Sequence, residues 1–315
     1  MTRLISIVGP TATGKSTLAV ELARGIGGEI VSADSRQVYR YMDIGTAKPG
    51  RKELDAIPHH LIDVVDPDGD FTLATYQELA LKAIDDIQRR GKQALLVGGS
   101  GLYVRAVTGG LRIPAVPPDT EFRRNLEERA AQEGYQVLHA ELRKVDAEAA
   151  EKIDPRNVRR VIRALEVCRA TGLKFSALRA VAPAFETLTI GLTTSREDLY
   201  RRIDARVDRM IERGLVDEVK RLLDRGYSPN LPAMSGLGYK QIIEHLRGDM
   251  GLDETIRRIK FETHRFARHQ YAWFRPKDET IRWFDIREDP LKPIRSLIAQ
   301  FSCSGDDDDI TGSKS

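Results

Sequence analysis

The chain has 315 residues, 41% of them hydrophobic and 31% charged, enough to bury a full core and to divide into more than one unit. A net charge of +3 does not by itself announce nucleic acid. Cys168 and Cys303 lack metal-ligand spacing and make at best one bridge, and no apolar run is long enough to span a bilayer, so zinc, a disulfide framework, a membrane span and a secretory leader are all set aside and a soluble, cytoplasmic protein is expected.

Residues 3–8 (RLISIV) form an apolar run ending at Gly9, the pattern of a buried parallel strand entering a turn. From Lys15 to Ala23, the spacing of Leu18, Ala19 and Leu22 predicts a helix. A second strand, EIVSAD, ends at Asp34. Thr72 can cap a helix from Leu73 to Arg90 that stops at Gly91, and the strand QALLVGG follows. Strands alternating with helices predict a parallel sheet whose ligands bind beyond the carboxyl ends of the strands, where Gly9, Asp34 and Gly98 all fall.

After Leu111 the character changes. The run PAVPP (Pro114 to Pro118) breaks regular structure, Asp119 can cap a helix, and the chain up to Phe185 reads as short helices punctuated by Gly134, Asp154–Pro155 and Gly172. A strand at residues 187–194 (TLTIGLTT) then returns the chain to the sheet. Amphipathic helices follow, one ending near Gly214, and then a last strand (TIRWFDI) and helix. The expected organisation is a catalytic core in two parts, residues 1–117 and 187–301, a helical insertion over 118–186, and an acidic tail over 302–315 too polar to fold alone.

Gly9-Pro10-Thr11-Ala12-Thr13-Gly14-Lys15-Ser16 matches G-x-x-x-x-G-K-[ST] with a strand before it and a helix after it. Gly14 permits the turn, the following amides converge on an anion at the positive end of the helix, Lys15 adds a point charge, and the Ser16 hydroxyl is placed for Mg²⁺. The fold class expected is therefore α/β, a P-loop NTPase-like parallel sheet with a helical insertion domain. Nucleotide hydrolases of this class hold Mg²⁺ with a second acid at a later strand end, but the strand at LLVGGSGLY ends in none. The acid at a strand end is Asp34, whose roles are a helix cap or outer Mg²⁺ ligand on one reading, and a base or substrate anchor on the other.

Charge is concentrated in two places: from Pro155 to Arg179, and again from Arg257 to Lys277, there are seven Lys/Arg against one carboxylate. Arg156, Arg159, Arg160 and Arg163 recur at i, i+3, i+4 and i+7, with Val161, Leu165 and Cys168 toward a core; the choice is between a solvated basic face and an RNA-backbone footprint. In the second stretch aromatics alternate with cations, and Phe266, Trp273 and Phe274 are expected in the core rather than as stacking platforms. His264 and His269, five apart, do not share a helix face, so no metal is assigned there.

GPTATGKS, DSRQVYRYMDIGTAKP (Asp34 to Pro49), GGSGLY (Gly98 to Tyr103), RRVIRALEV (Arg159 to Val167) and GLGYKQ (Gly236 to Gln241) together resemble the successive motifs of the tRNA dimethylallyltransferase family, from the first strand to about Arg275. The resemblance implies transfer of a dimethylallyl group from dimethylallyl diphosphate to N6 of adenosine 37 beside a tRNA anticodon, by a monomer using Mg²⁺. It implies Asp34 as the base on the amine, the loop Gly9 to Ser16 on the diphosphate, Ser100 (where a threonine is usual) on diphosphate or target base, and Arg206 on the diphosphate from the far side, with surface salt bridging as Arg206's alternative. Because a stacked adenine cannot reach a buried pyrophosphate, the base must be extruded. Asp34, Ser35, Arg36 and Gln37 are implied on the entering nucleotide, and Arg159, Arg160, Val161, Ile162, Arg163 and Arg123 on the anticodon stem-loop.

Two rivals are kept. A P-loop small-molecule or nucleotide kinase expects ATP as donor, and is disfavoured by the missing second acid and by the basic insertion. An RNA-binding GTP or ATP switch expects an N-K-x-D motif, which is absent.

Overall fold

A computed structural model describes residues 2–110, 113–114, 116–177 and 183–303. Contacts divide the chain into one unit of residues 1–108 and 183–315 and a second of residues 109–182.

The first unit opens with β1 (Thr2–Val8), α1 (Lys15–Ile26), β2 (Gly28–Ser32), α2 (Arg51–Ala56), β3 (His59–His60), α3 (Leu73–Arg89), β4 (Gln93–Val97) and α4 (Gly101–Thr108). The second unit holds α5 (Thr120–Glu133), α6 (Tyr135–Val145), α7 (Ala147–Lys152) and α8 (Val158–Thr171). The chain returns through β5 (Phe185–Thr193), α9 (Arg196–Glu212), α10 (Leu215–Asp224), α11 (Tyr239–Leu246), α12 (Leu252–Trp273), β6 (Ile281–Asp285) and α13 (Leu291–Cys303). The last helix reaches two residues into the segment expected as tail; the acidic run itself lies outside the described residues.

All strand pairs are parallel, in the order β3-β2-β4-β1-β5-β6. Leu4 and Val8 of β1 face the cluster built with Tyr76, Ala80, Ile84 and Ile87 of α3, while Ile5 and Ile7 face Leu18 and Leu22 of α1 and Ile294 and Ile298 of α13. A strand covered on both faces must be apolar throughout, which is why RLISIV reads as a run rather than an alternation. Thr72 and Asp119 cap their helices as expected, accepting from the Thr75 and Phe122 amides at 3.1 and 3.0 Å.

A third cluster joins α9 through α12, with Leu199, Ile203, Val219, Ile242 and Ile259 packing on Val38 and Met42 of the segment after β2. In the second unit, Leu126, Leu138, Leu142, Val161 and Leu165 form the core of a small helical bundle.

Candidate active site

The sheet order decides which loops meet. β2, β4, β1 and β5 are consecutive neighbours, so Asp34 beyond β2, Ser100 beyond β4, the phosphate loop beyond β1, and α9 with Arg206 beyond β5 come together along the carboxyl edge. Asp34, Ser35, Arg36, Ser100, Thr11 and Arg206 all line one cavity of about 280 Å³. Ile203, Val207, Met210, Leu237, Ile259 and Phe266 supply its apolar side. A larger surface groove along β6 and α13 shares none of these residues.

The loop itself is held by local bonds. Gly9 adopts φ 136°, and a Cβ there would meet the Leu192 carbonyl of β5, so only glycine lets the chain pass at this point. Gly14 precedes α1 in the left-handed region at φ 80°. Thr13 Oγ1 and Lys15 Nζ both donate to the Pro10 carbonyl, at 2.9 and 2.7 Å. Burial pushes the Lys15 ammonium down to about 7; Arg206 acts in the same direction and Asp34 opposes them. Ser16 is exposed in the first turn of α1.

Arg206 reaches the loop from α9, donating from Nη1 to Thr11 Oγ1 at 3.0 Å. It makes no ion pair among the described residues, so the surface salt bridge considered for it does not occur; burial is the main reason its basicity is lowered. Asp34 divides its two oxygens: Oδ1 accepts from the Arg36 amide at 2.9 Å, closing a local turn, whereas Oδ2 has no hydrogen-bond partner among the described residues and belongs to a side chain lining the cavity. Both roles considered for Asp34, local cap and site carboxylate, are thus open to it at once.

Ser100 Oγ accepts from the Ser35 amide at 3.1 Å and bonds Ser35 Oγ at 3.3 Å, which fixes its rotamer without the methyl of a threonine. Arg36 lines the cavity, but its guanidinium is tied to the Pro232 carbonyl at 2.7 Å, joining the loop after β2 to the segment before α11. Gln37 faces elsewhere. Its amide accepts from Ser32 Oγ and donates to the Thr46 and Ala47 carbonyls, so it braces the loop and does not line the cavity.

Three supporting residues are not among the site residues expected above. Glu218 of α10, 4% exposed, accepts from the amides of Asp43, Ile44 and Gly45 at 2.9, 2.8 and 3.1 Å, and from the Tyr239 hydroxyl at 2.6 Å. It thereby pins the DIGTAKP segment under the cavity. Gln270 of α12 bonds both the phosphate loop and the Gly99 carbonyl. Tyr239 sits within GLGYKQ, so that motif was visible although its partner was not.

In the second unit the structure corrects several expectations. Val161 and Ile162 are 0% and 2% exposed, packed in the bundle core, so their side chains cannot touch RNA. Arg123 and Arg163 are engaged: Glu166, 2% exposed, takes Arg123 in two bonds of 2.7 Å and Arg163 in one of 2.5 Å, and also accepts from the Asp119 amide at 2.8 Å. Burial pushes the Glu166 carboxyl up, but those bonds together outweigh it and hold the group at about 2. Arg156 precedes the helix, which Asn157 caps, and pairs with Asp154 at 2.7 Å. Only Arg159 and Arg160 of this set stand exposed on α8.

Phe274, just after α12, is buried, but Phe266 and Trp273 on that helix are 44% and 41% exposed, contrary to their expected place in the core. Phe266 borders the cavity, and Trp273 packs so close to Gly101 that no Cβ could fit there. His264 stacks on Tyr200, and its Nε2 lies 2.8 Å from Asp204 Oδ1 without hydrogen-bond geometry.

The model of the IPP transferase family matches residues 37–277. The tRNA dimethylallyltransferase of Roseiflexus castenholzii is 55% identical over 301 residues, covering 95% of this chain and 98% of its own, and that of Thermomicrobium roseum is 51% identical over 286, covering 90% and 87%. The crystal structure of the tRNA isopentenylpyrophosphate transferase of Bacillus halodurans is similar with a TM-score of 0.71 at 41% identity, covering 95% of this chain and 96% of that one. A structure of a eukaryotic dimethylallyltransferase acting on tRNA gives a TM-score of 0.78 at 30% identity, covering 91% and 74%. With a family match that takes in the loop after β2, the whole second unit and α9 through α12, the chain belongs to the IPP transferase family.

Proposed function

We propose that this protein transfers the dimethylallyl group of dimethylallyl diphosphate to N6 of adenosine 37 in tRNA, releasing pyrophosphate. The observation that carries this reading is the composition of one cavity: Thr11 of the phosphate loop with Arg206 bonded to it, the Asp34 carboxylate with one oxygen unpartnered among the described residues, and an apolar side of Ile203, Val207 and Met210. An apolar side next to a phosphate loop suits a branched five-carbon group joined to a diphosphate.

The C1–O bond of the allylic diphosphate breaks as the bond from N6 to C1 forms, and the electron pair leaves with pyrophosphate. Negative charge grows where Lys15, Arg206 and the loop amides converge, so these groups favour the transition state more than the ground state. Exocyclic N6 is a weak nucleophile because its lone pair is delocalised into the ring, so placing it against C1 contributes more than base strength. Asp34 Oδ2 orients the amine and accepts its proton as the new bond forms. Leu237, Ile259 and Phe266 limit water at the allyl group, which lowers the loss of a developing carbocation to hydrolysis.

The exposed Ser16 hydroxyl in the first turn of α1 is an oxygen donor suited to Mg²⁺, which takes few protein ligands and several phosphate oxygens. Bound there, Mg²⁺ would neutralise charge on the leaving group. Arg159 and Arg160 on α8 supply exposed cations for the RNA backbone.

The test incubates the purified protein with Mg²⁺, labelled dimethylallyl diphosphate and unmodified tRNA. Label is expected in the tRNA with release of pyrophosphate, and added ATP is expected to remain intact. Consumption of ATP with no label in tRNA would return the reading to a kinase.

A further inference from the structure

We infer that Gln270 is a positioning residue that sets the spacing between the diphosphate cradle and the edge of the cavity at which the base arrives. It sits one turn before the end of α12 and is 5% exposed. Its Oε1 accepts from the Thr11 amide at 2.8 Å, and its Nε2 donates to the Gly99 carbonyl at 2.9 Å. The Thr11 amide can only donate and the Gly99 carbonyl can only accept, so the side-chain amide is locked in a single orientation.

The two partners belong to the loops beyond β1 and β4, which are neighbouring strands. Thr11 also receives Arg206 on its hydroxyl, at 3.0 Å. Gly99 is followed by Ser100, whose hydroxyl accepts from the Ser35 amide beside Asp34, at 3.1 Å. One planar group therefore joins the half of the cavity that holds the leaving group to the half that holds the carboxylate. The approach is close: a Cβ on Gly99 would collide with Gln270 Nε2. Asparagine is one methylene too short to reach both partners, and a glutamate can reproduce the pattern only when protonated, with its C=O accepting and its O–H donating. Transfer depends on holding N6 and C1 within bonding distance, so slack of a fraction of an ångström between the two loops acts on rate.

This inference rests on the reading of the cavity given above, and its test separates the two. Wild type, Gln270→Glu and Gln270→Met are compared in single-turnover transfer to tRNA and in calorimetric affinity for Mg²⁺-pyrophosphate, each at pH about 8 and about 6 and always relative to wild type at the same pH. At the higher pH both variants are expected to lose transfer rate by roughly 10²-fold, with the Michaelis constant for tRNA within about threefold, because RNA binding lies elsewhere. At the lower pH, burial and the facing Gly99 carbonyl favour the neutral carboxyl over the opposing pull of the Arg206 guanidinium on Thr11, and Gln270→Glu is expected to recover roughly tenfold in rate, whereas Gln270→Met stays low. Thermal melts confirm that the compared samples are folded.

A Gln270→Glu protein within threefold of wild type at both pH values, or equal pH-independent losses in both variants, overturns the inference. If wild type binds pyrophosphate but transfers nothing, the functional reading falls. The clamp is then judged on pyrophosphate affinity, which must drop in Gln270→Glu at the higher pH and recover at the lower.

Discussion

Arginine does different work in the two units. In the first, Arg206 is turned inward onto Thr11 and makes no ion pair among the described residues; in the second, Arg123 and Arg163 converge on the buried Glu166, which satisfies both. A buried carboxylate between two guanidiniums closes a structural network. A cation placed against a phosphate loop and left unpaired is positioned for a charge that arrives with the substrate. On the proposed function, the same residue type is scaffold in one place and machinery in the other, and a carboxylate in direct contact distinguishes them.

The largest effect that would sharpen this contrast is at Asp34, the one carboxylate that lines the cavity among the described residues. Asp34→Ala is expected to lower turnover by roughly 10²-fold or more, about 2.7 kcal/mol, while tRNA affinity stays within a few-fold. Parallel loss of turnover and tRNA binding, measured by steady-state kinetics and filter binding, would deny it the role of base.

In the second unit the expected effect falls on stability. Glu166→Ala leaves two half-exposed arginines and the Asp119 amide without their acceptor and should cost roughly 2 kcal/mol, below the range for fully buried pairs because solvent screens the arginines. Chemical denaturation reads this, and transfer by the folded fraction in single turnover should be near that of wild type. A Glu166→Ala protein as stable as wild type would mean that Arg123 and Arg163 are not held for structure.

Lys15 offers a pH test. Its free-state pKa is lowered to about 7, and a bound diphosphate favours the charged form and so raises it. Binding then takes up a proton above about pH 7, and pyrophosphate affinity should fall with rising pH by up to about tenfold per unit, flattening below that point. The Lys15→Ala protein isolates this slope from the titration of pyrophosphate itself; calorimetry that finds the same slope in both would remove Lys15 from the linkage.

The smallest effect belongs to α8. Arg160→Glu should raise the Michaelis constant for tRNA by roughly three- to tenfold and reduce its salt dependence, with the rate at saturation unchanged. An unaltered Michaelis constant would make α8 a solvated face.

Much of this site is legible along the chain because its parts stand at strand ends. A run such as RLISIV followed by a glycine, or EIVSAD ending in an acid, marks both strand and site in a few adjacent residues. β3 is two residues long and leaves no such pattern. The contacts of Gln270 and Glu218 are invisible for another reason: their partners lie 259 and 173–175 residues away, and only the order of the strands and the packing of α10 and α12 bring them together. Phe266 and Trp273 were misplaced because an aromatic residue at helical spacing looks the same whether it faces a core or a cavity mouth. Val161 and Ile162 were assigned to RNA as members of a motif, although their apolar character and the helical period of the neighbouring arginines already pointed inward.

The central claim is that one cavity brings an allylic diphosphate and an extruded adenine together. The most direct measurement is mass spectrometry of nuclease digests of tRNA treated with the purified protein and dimethylallyl diphosphate, comparing a transcript with adenosine at position 37 with one carrying guanosine there. The account predicts a single prenylated nucleoside, modified at N6 of adenosine 37, and none in the guanosine transcript. Prenylation that is scattered over the RNA, or that persists when adenosine 37 is replaced, would contradict it.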